Sequence, residues 1–372
     1  MRVRFLTYGF ATVLSVGTFA LLLATGCNQP HETARTSYAA YLGNSACAEC
    51  HAAESKKHHN SRHATTMRSV DLKSLSRDFP VAGDIPNTNF VVQPSGTGFA
   101  LAVKYQPELQ QPLQYALGSG KFALTFINVH DKDSVVELRE SYYPTLHAWS
   151  YTPGQAHIEG DGLGRLYQGR LARACVTCHT TALPSDSLTP EPRFLGVGCE
   201  SCHGPGRDHV AAMRSGKTGD LHLSRLNSLD ATTMNERCGR CHRSAKTVPA
   251  GETSTQRFQP YGLMKSRCFL ESGNKLSCQT CHDPHENAST DHKAYEQVCL
   301  SCHASTGSKL QMGTKPKGKP CPVNKQRDCI RCHMPLREVT KDAPISMADH
   351  FIRVHRSEPP DTAGEQGFNE MD

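Results

Sequence analysis

The pattern Cys-x-x-Cys-His occurs seven times in this chain and takes up fourteen of its seventeen cysteines. The copies are Cys47, Cys50 and His51; Cys175, Cys178 and His179; Cys199, Cys202 and His203; Cys238, Cys241 and His242; Cys278, Cys281 and His282; Cys299, Cys302 and His303; and Cys329, Cys332 and His333. The spacing sets two thiols one helical turn apart on one face, so both can reach a single edge of a flat macrocycle. The adjoining imidazole is then aimed at the ring's centre. Thioether attachment of haem c is the chemistry that needs these residues in this order, and imidazole is a good nitrogen ligand for iron. A redox dithiol or half a zinc site also uses Cys-x-x-Cys. Neither requires histidine at the next position, and an odd number of copies suits paired zinc ribbons poorly. We therefore expect seven covalent haem c groups, with the seven motif histidines as proximal iron ligands.

A chain of this kind is built around its cofactors. Hydrophobic residues make up 37% of the 372, there is one tryptophan, Trp149, and the mean hydropathy is −0.49. That is lean for a large aliphatic core, and porphyrins would supply the missing apolar volume. The formal charge of +6 does not signal a nucleic-acid partner, since seven haems would add about fourteen propionate charges of opposite sign. No basic patch with interleaved aromatics is present, and no nucleophilic triad, phosphate loop or dinucleotide fingerprint competes with the haem reading.

The N-terminus reads as an export leader. Arg2 and Arg4 precede an apolar run from Phe5 to Leu23, followed by Ala24-Thr25-Gly26-Cys27. Small residues before a cysteine resemble a bacterial lipoprotein cleavage site, with Cys27 lipidated. A plain secreted protein and an uncleaved anchor are the alternatives, the run being just long enough to span a bilayer. All three set the body of the chain outside the cytoplasm, on the periplasmic or outer-surface side, with membrane association through the N-terminal lipid.

The organisation expected is a leader over 1–27, a tether and first haem-binding segment over 28–85, a β-rich insert over 86–150, a six-haem domain over 151–356 and a loose acidic tail over 357–372. The first motif is expected in a helical hairpin running to about Asp78. Strand-like runs at Phe90–Val92, Phe99–Tyr105, Phe122–Val129 and Val135–Leu138 are punctuated by Gly96, Gly98, Gly118 and Gly120. The fold class expected is mainly α, with short helices and loops packed around haems and a small antiparallel β insert between the first and second motifs.

Each iron also has a sixth position. A second histidine there closes the iron and blocks substrate, whereas an open position makes a catalytic haem. Twenty histidines less seven in the motifs leave thirteen. His59 and His63 share a helical face after the first motif. His209 and His285 follow their motifs too closely to cap their own irons comfortably, and His157, His350 and His355 lie near turns or the C-terminal end. The candidate distal ligands are His63, His157, His209, His285 and His350. Once the motifs and Cys27 are assigned, Cys268 and Cys321 remain, and an oxidising compartment favours a disulfide between them.

Three segments carry a resemblance: Gly198-Cys-Glu-Ser-Cys-His-Gly-Pro-Gly206, Ser277-Cys-Gln-Thr-Cys-His-Asp-Pro-His285 and Cys329-Ile-Arg-Cys-His-Met-Pro335. Together they resemble the multihaem cytochromes c related to hydroxylamine oxidoreductase and cytochrome c nitrite reductase. The resemblance implies a haem-packed, mostly helical fold, a place in respiratory electron transfer, and His63, His209, His285 and His350 as distal ligands. The lysine-ligated motif of the nitrite reductases is absent here, and no tyrosine follows Tyr295 to match the crosslinking residue of the hydroxylamine oxidoreductases. Neither activity carries over. The expected function is electron transfer along a haem chain, with redox proteins or membrane quinol-linked complexes as partners. The alternative is a redox enzyme acting on a small nitrogen compound at one five-coordinate haem.

Overall fold

The computed structural model describes residues 37–71, 82–217, 219, 221–248, 255–303, 318–341 and 343–355. Cys27, the leader and the acidic tail lie outside the described residues. Among those residues, no helix is long and apolar enough to cross a membrane.

The apolar alternation after the first motif builds two antiparallel sheets. The smaller runs β2 (Gly83–Asp84), β3 (Phe90–Ser95), β4 (Gly98–Val103), β5 (Gln106–Pro112) in sequence order. The larger has the order β1 (Met67–Ser69), β6 (Tyr115–Leu117), β7 (Leu124–Val129), β8 (Ser134–Tyr143), β10 (Gly164–Gln168), with β9 (Ala148–Tyr151) also paired to β8. Because side chains alternate across a strand, strands β6, β7 and β8 of the larger sheet feed two cores. One face, with Phe126, Leu138 and Tyr142, packs on Phe90, Val92, Phe99 and Leu101 of the smaller sheet. This is sheet-on-sheet packing over a shared apolar layer. The other face, with Tyr115, Leu117, Ile127 and Val135, packs on Ala172 and Val176. Those two residues lie on the helix Gly169–His179, which carries the second motif. The larger sheet is thus the middle layer, and it seats a haem-attachment helix directly.

The remaining motifs follow with little strand between them. Helices Ala231–His242 and His292–His303 end on motif histidines, as does Gly169–His179. The motifs beginning at Cys199 and Cys329 are five-residue helices, and that at Cys278 opens as a 3-10 turn. After the last motif, β11 (Leu336–Thr340) and β12 (Ala343–Ala348) form a hairpin. Its Val339, Ala343 and Ile345 pack on Tyr143 at the end of the larger sheet.

The expectation of a mainly α fold with a small β insert is therefore corrected. Helix accounts for about 33% and strand for about 23% of the described residues, in several antiparallel sheets. The physical reason is that pairing, not composition, made several of the strands. β5 (Gln106–Pro112) is almost wholly exposed and polar. β10 contains Arg165 and Gln168 yet pairs with β8 through five successive residues. The hairpin expected to run to Asp78 also gives way early, since Met67–Ser69 joins the larger sheet beside Tyr115–Leu117.

One glycine fixes how the first segment meets the third motif. Gly196 adopts φ +78, and a Cβ there would collide with the carbonyl of Ala64. That close approach lets the Val197 amide donate to the His63 carbonyl at 2.9 Å, and it holds His63 in the middle of the motif-bearing region.

Candidate functional site

The site is the set of motif histidines and what faces them. Four of the candidate distal histidines lie opposite a motif histidine. The ring of His209 stands 6.4 Å from that of His51, His285 stands 6.3 Å from His203, His63 stands 6.0 Å from His242, and His350 stands 6.3 Å from His282. An iron between two imidazoles, with metal–nitrogen bonds of about 2 Å like those imidazole makes to zinc and ring centres about 1.1 Å behind the ligating atoms, needs centroids roughly 6.2 Å apart. Rings in van der Waals contact would be closer, and unrelated rings would show no common spacing. The spacing of the four pairs fits a metal held between the two imidazoles of each.

The outer shell agrees with that geometry. A ligating imidazole generally donates its second N–H to a fixed acceptor, which sets the tautomer and ring orientation. Here Nδ1 of His63 donates to the Pro284 carbonyl at 3.1 Å, that of His209 to Leu221 at 2.9 Å and that of His350 to Ala348 at 2.9 Å. His285 Nδ1 meets the Asp283 carboxylate at 2.9 Å. Among the motif histidines, His179 donates to the Thr66 carbonyl at 3.0 Å, His303 to Lys319 at 2.9 Å and His333 to Arg353 at 3.1 Å. In every case Nδ1 is engaged and Nε2 is the nitrogen left for a metal.

Desolvation keeps several of these rings neutral, which is the form that binds metal. The surrounding protein pushes His242 down to about 4, reinforced by the field of His63. Burial likewise lowers His179, His203, His282 and His350. For His203 the charge of His285 adds to burial.

His157 is placed differently. It is exposed in the strand-rich part, and its Nε2 lies 2.7 Å from the Arg165 guanidinium. The nitrogen an iron would need is turned to a surface arginine. The disulfide expected between Cys268 and Cys321 is not formed, both being free thiols in the structure. Cys268 sits on the short helix Arg267–Glu271, within the electrostatic reach of Cys299. Cys321 accepts from the Asn324 amide at 3.4 Å and neighbours Cys329 instead.

The motif cysteines meet one another across the fold. Cys47 and Cys199 share a hydrogen bond that raises the first thiol and lowers the second to about 7. Cys238 and Cys278 are joined in the same way, as are Cys178 and Cys241. Cys329 lies against Cys299. Haem attachment would convert these thiols to thioethers with no proton to titrate, so what matters is their adjacency. Cys202 also lies within the field of Cys238, and Arg237 donates to the Cys202 carbonyl. The motif ending at His242 therefore touches three others, those ending at His179, His203 and His282.

Polar residues that sequence reasoning missed tie these motifs together. Glu200, inside the third motif and 3% exposed, accepts from the amides of Leu42 at 2.9 Å, Gly43 at 2.8 Å and Gly206 at 2.7 Å. Unlike Glu200, His58 stands out in the sequence, beside His59 and His63 after the first motif; it is buried, and burial followed by the charges of His63 and His285 lowers its pKa. The readable signal for Glu200 was an acidic residue inside an attachment motif, where solvent exposure is the ordinary expectation.

Comparison with known proteins adds the following. The family model described as "Cytochrome c554 and c-prime" matches residues 46–82 and 140–204, on either side of most of the sheet-forming segment. The multihaem cytochrome MtrA of Shewanella baltica is 22% identical over 203 residues, which is 48% of this chain and 58% of that protein. Cytochrome c-554 of Nitrosomonas europaea is 33% identical over 86 residues, 20% of this chain and 37% of that protein. The chain thus spans only part of the length of both relatives. Among solved structures, the outer cell wall cytochrome OcwA aligns with a TM-score of 0.48 at 16% identity, covering 84% of this chain and 80% of its own. The undecahaem cytochrome from the S-layer of Carboxydothermus ferrireducens aligns with a TM-score of 0.45 at 17% identity, covering 86% and 53%. All four bear the name cytochrome, and none is named as a hydroxylamine oxidoreductase or a nitrite reductase, so the link to those enzymes expected from three segments is not shown.

Proposed function

We propose that the chain is a multihaem c-type cytochrome with covalently bound haem c, an extracytoplasmic seven-haem protein that passes electrons along a haem chain. The single observation that carries this reading is the set of four opposed histidine pairs at 6.0–6.4 Å. Irons closed by two imidazoles have no position left for substrate, so their use is one-electron exchange. The haem supplies the redox chemistry. The chain's own residues fix its orientation, exclude water and tune its potential through ligand and hydrogen bond. His63, His209, His285 and His350 would hold the haem irons from the second side, with Pro284, Leu221, Asp283 and Ala348 orienting their rings.

The seven intact motifs support a count of seven, which the mass of the mature protein tests. Export follows from the leader and from attachment of haem c outside the cytoplasm. Lipid on Cys27 would hold the body at a membrane surface, where redox proteins or quinol-linked complexes are the partners. Cys27→Ser should release the protein into the soluble fraction, and a variant that stays membrane-bound would favour an uncleaved anchor.

Carbon monoxide binds ferrous haem only where the sixth position is open. The reduced wild-type protein should bind little, and His63→Ala should open the iron at His242. Substantial binding by the unmutated protein would instead favour catalysis at a five-coordinate haem.

A further inference from the structure

A repeated contact orders the attachment motifs in pairs. The residue three positions before the first cysteine of one motif accepts a hydrogen bond from the backbone amide of the first cysteine of another. Asn44, three before Cys47, takes the Cys199 amide at 3.0 Å on Oδ1. Asn235, three before Cys238, takes the Cys278 amide at 2.9 Å. Glu296, three before Cys299, takes the Cys329 amide at 2.9 Å. Asn235 is fully buried and Glu296 nearly so. Asn235 also donates from Nδ2 to the Leu276 carbonyl at 3.1 Å, so both ends of its amide are used.

The chemistry of short helices explains the arrangement. The first amides of a helix have no partner within it and need an outside acceptor. The helices Cys199–His203 and Cys329–His333 have no side-chain cap from their own N-cap residues, Gly198 and Asp328. The acceptor comes instead from a second motif. At each of the three contacts the two first cysteines are neighbours: Cys47 with Cys199, Cys238 with Cys278, and Cys299 with Cys329. The second motif is a contrast. Cys175 lies inside the helix Gly169–His179, where its amide has a helical partner, and the residue three before it is the buried apolar Ala172. It meets its neighbour through second cysteines, Cys178 with Cys241.

We propose that Asn44, Asn235 and Glu296 are positioning residues that clamp three pairs of attachment motifs, those ending at His51 and His203, His242 and His282, and His303 and His333, and so set the mutual orientation of the two haems in each pair. Each acceptor fixes a helix start, the helix start fixes the first thioether, and two adjacent thioethers fix two porphyrin edges. The inference rests on haem attachment at these motifs, which the covalent haem mass tests separately. It does not depend on what the electrons are used for.

The test uses the oxidised holoprotein and the Soret circular dichroism couplet, which reports the relative orientation of neighbouring porphyrins. Glu296→Leu removes the acceptor, while Glu296→Gln keeps one at the same reach. Glu296→Gln should show the wild-type couplet. Glu296→Leu should lose part of the couplet with its covalent haem mass unchanged. A wild-type couplet in Glu296→Leu overturns the proposal, and so does an equal loss in Glu296→Gln. Should Glu296→Leu fail to mature, Glu296→Asp decides, because its carboxylate is one methylene short. A changed couplet at full haem mass then supports the clamp, and an unchanged one sinks it. Haem mass below wild type in Glu296→Gln would also overturn it, since the acceptor would be present without its effect.

Discussion

The strand-rich segment from Met67 to Gln168 and the motif-rich segment from Cys199 to His333 hold themselves together by different means. In the first, nearly every strand contributes large aliphatic or aromatic side chains to a dry layer, and Phe126, Ile127, Leu124 and Leu138 are at most 1% exposed. In the second, the fully buried large side chains are few, and the buried residues include Glu200, Asn235, Ser244, Ser266 and Glu296. Asn235 and Glu296 hold a backbone amide of one motif against another, and Glu200 takes the amides of Leu42 and Gly43 just before the first motif. A region with so little apolar volume of its own leaves the hydrophobic contribution to the haem, and its side chains supply direction instead of bulk. From that difference the strand-rich segment is expected to keep its fold without the cofactor and the motif-rich segment to need it, as metal-dependent domains need their metal.

The sharpest way to break that contrast is to remove one attachment at the motif that touches three others. Cys238→Ser with Cys241→Ser should make the segment beyond Cys199 protease-sensitive while the 83–168 segment stays resistant. The loss should exceed what any one side chain supplies, above about 5 kcal/mol. Limited proteolysis with mass mapping reads it. Equal resistance of both segments would mean the motif region has a core of its own.

The reciprocal change is Phe126→Ala, a fully buried ring shared by both sheets. It should cost about 3–5 kcal/mol through lost burial and a residual cavity. Denaturation followed by far-ultraviolet circular dichroism should shift, while covalent haem content stays at the wild-type level. A loss of haem would show that the sandwich is needed to assemble the motif region.

A smaller effect concerns pH. Glu140 on β8 is 1% exposed, and burial raises its carboxyl to about 7, with Arg139 opposing. The unfolded carboxyl releases its proton near its ordinary value of 4.5, while the folded one keeps it until about 7. The fold therefore binds more protons over that window, and its stability is highest below the unfolded value and falls as pH rises towards 7. Glu140→Gln should flatten this slope, gaining roughly 1–3 kcal/mol at pH 8 relative to wild type. An unchanged slope in thermal melts between pH 4.5 and 8 would remove Glu140 from the account.

Much of the attachment chemistry was legible because covalent motifs are local: five residues carry the whole signal. The strand runs at Phe90 and Phe99 were legible for the same reason, through alternation over a few residues. The extent of the sheets was not. β5, almost wholly exposed, takes its form from pairing with the adjacent β4, β10, with Arg165 and Gln168, from pairing with the earlier β8, and the hairpin Leu336–Ala348 owes its place to Tyr143. The trans contacts of Asn44, Asn235 and Glu296 were also hidden, since spacing from one motif says nothing of which other motif lies across from it.

His157 offers the finest test of where the two regions divide. By sequence it stands before the second motif, near a turn, and the histidine surplus makes it a reasonable ligand. In the fold it is exposed, and its Nε2 faces Arg165 on β10, at 2.7 Å. A ligand to iron needs that nitrogen free and its ring held by an acceptor at Nδ1, as His63, His209 and His350 are held. His157→Ala should therefore leave the low-spin haem spectrum and carbon monoxide binding of the reduced protein as they are. Its stability cost should stay within about 0.5 kcal/mol, as for an ordinary surface substitution. A new high-spin signal would instead bring His157 to an iron and carry the haem array into the strand-rich region.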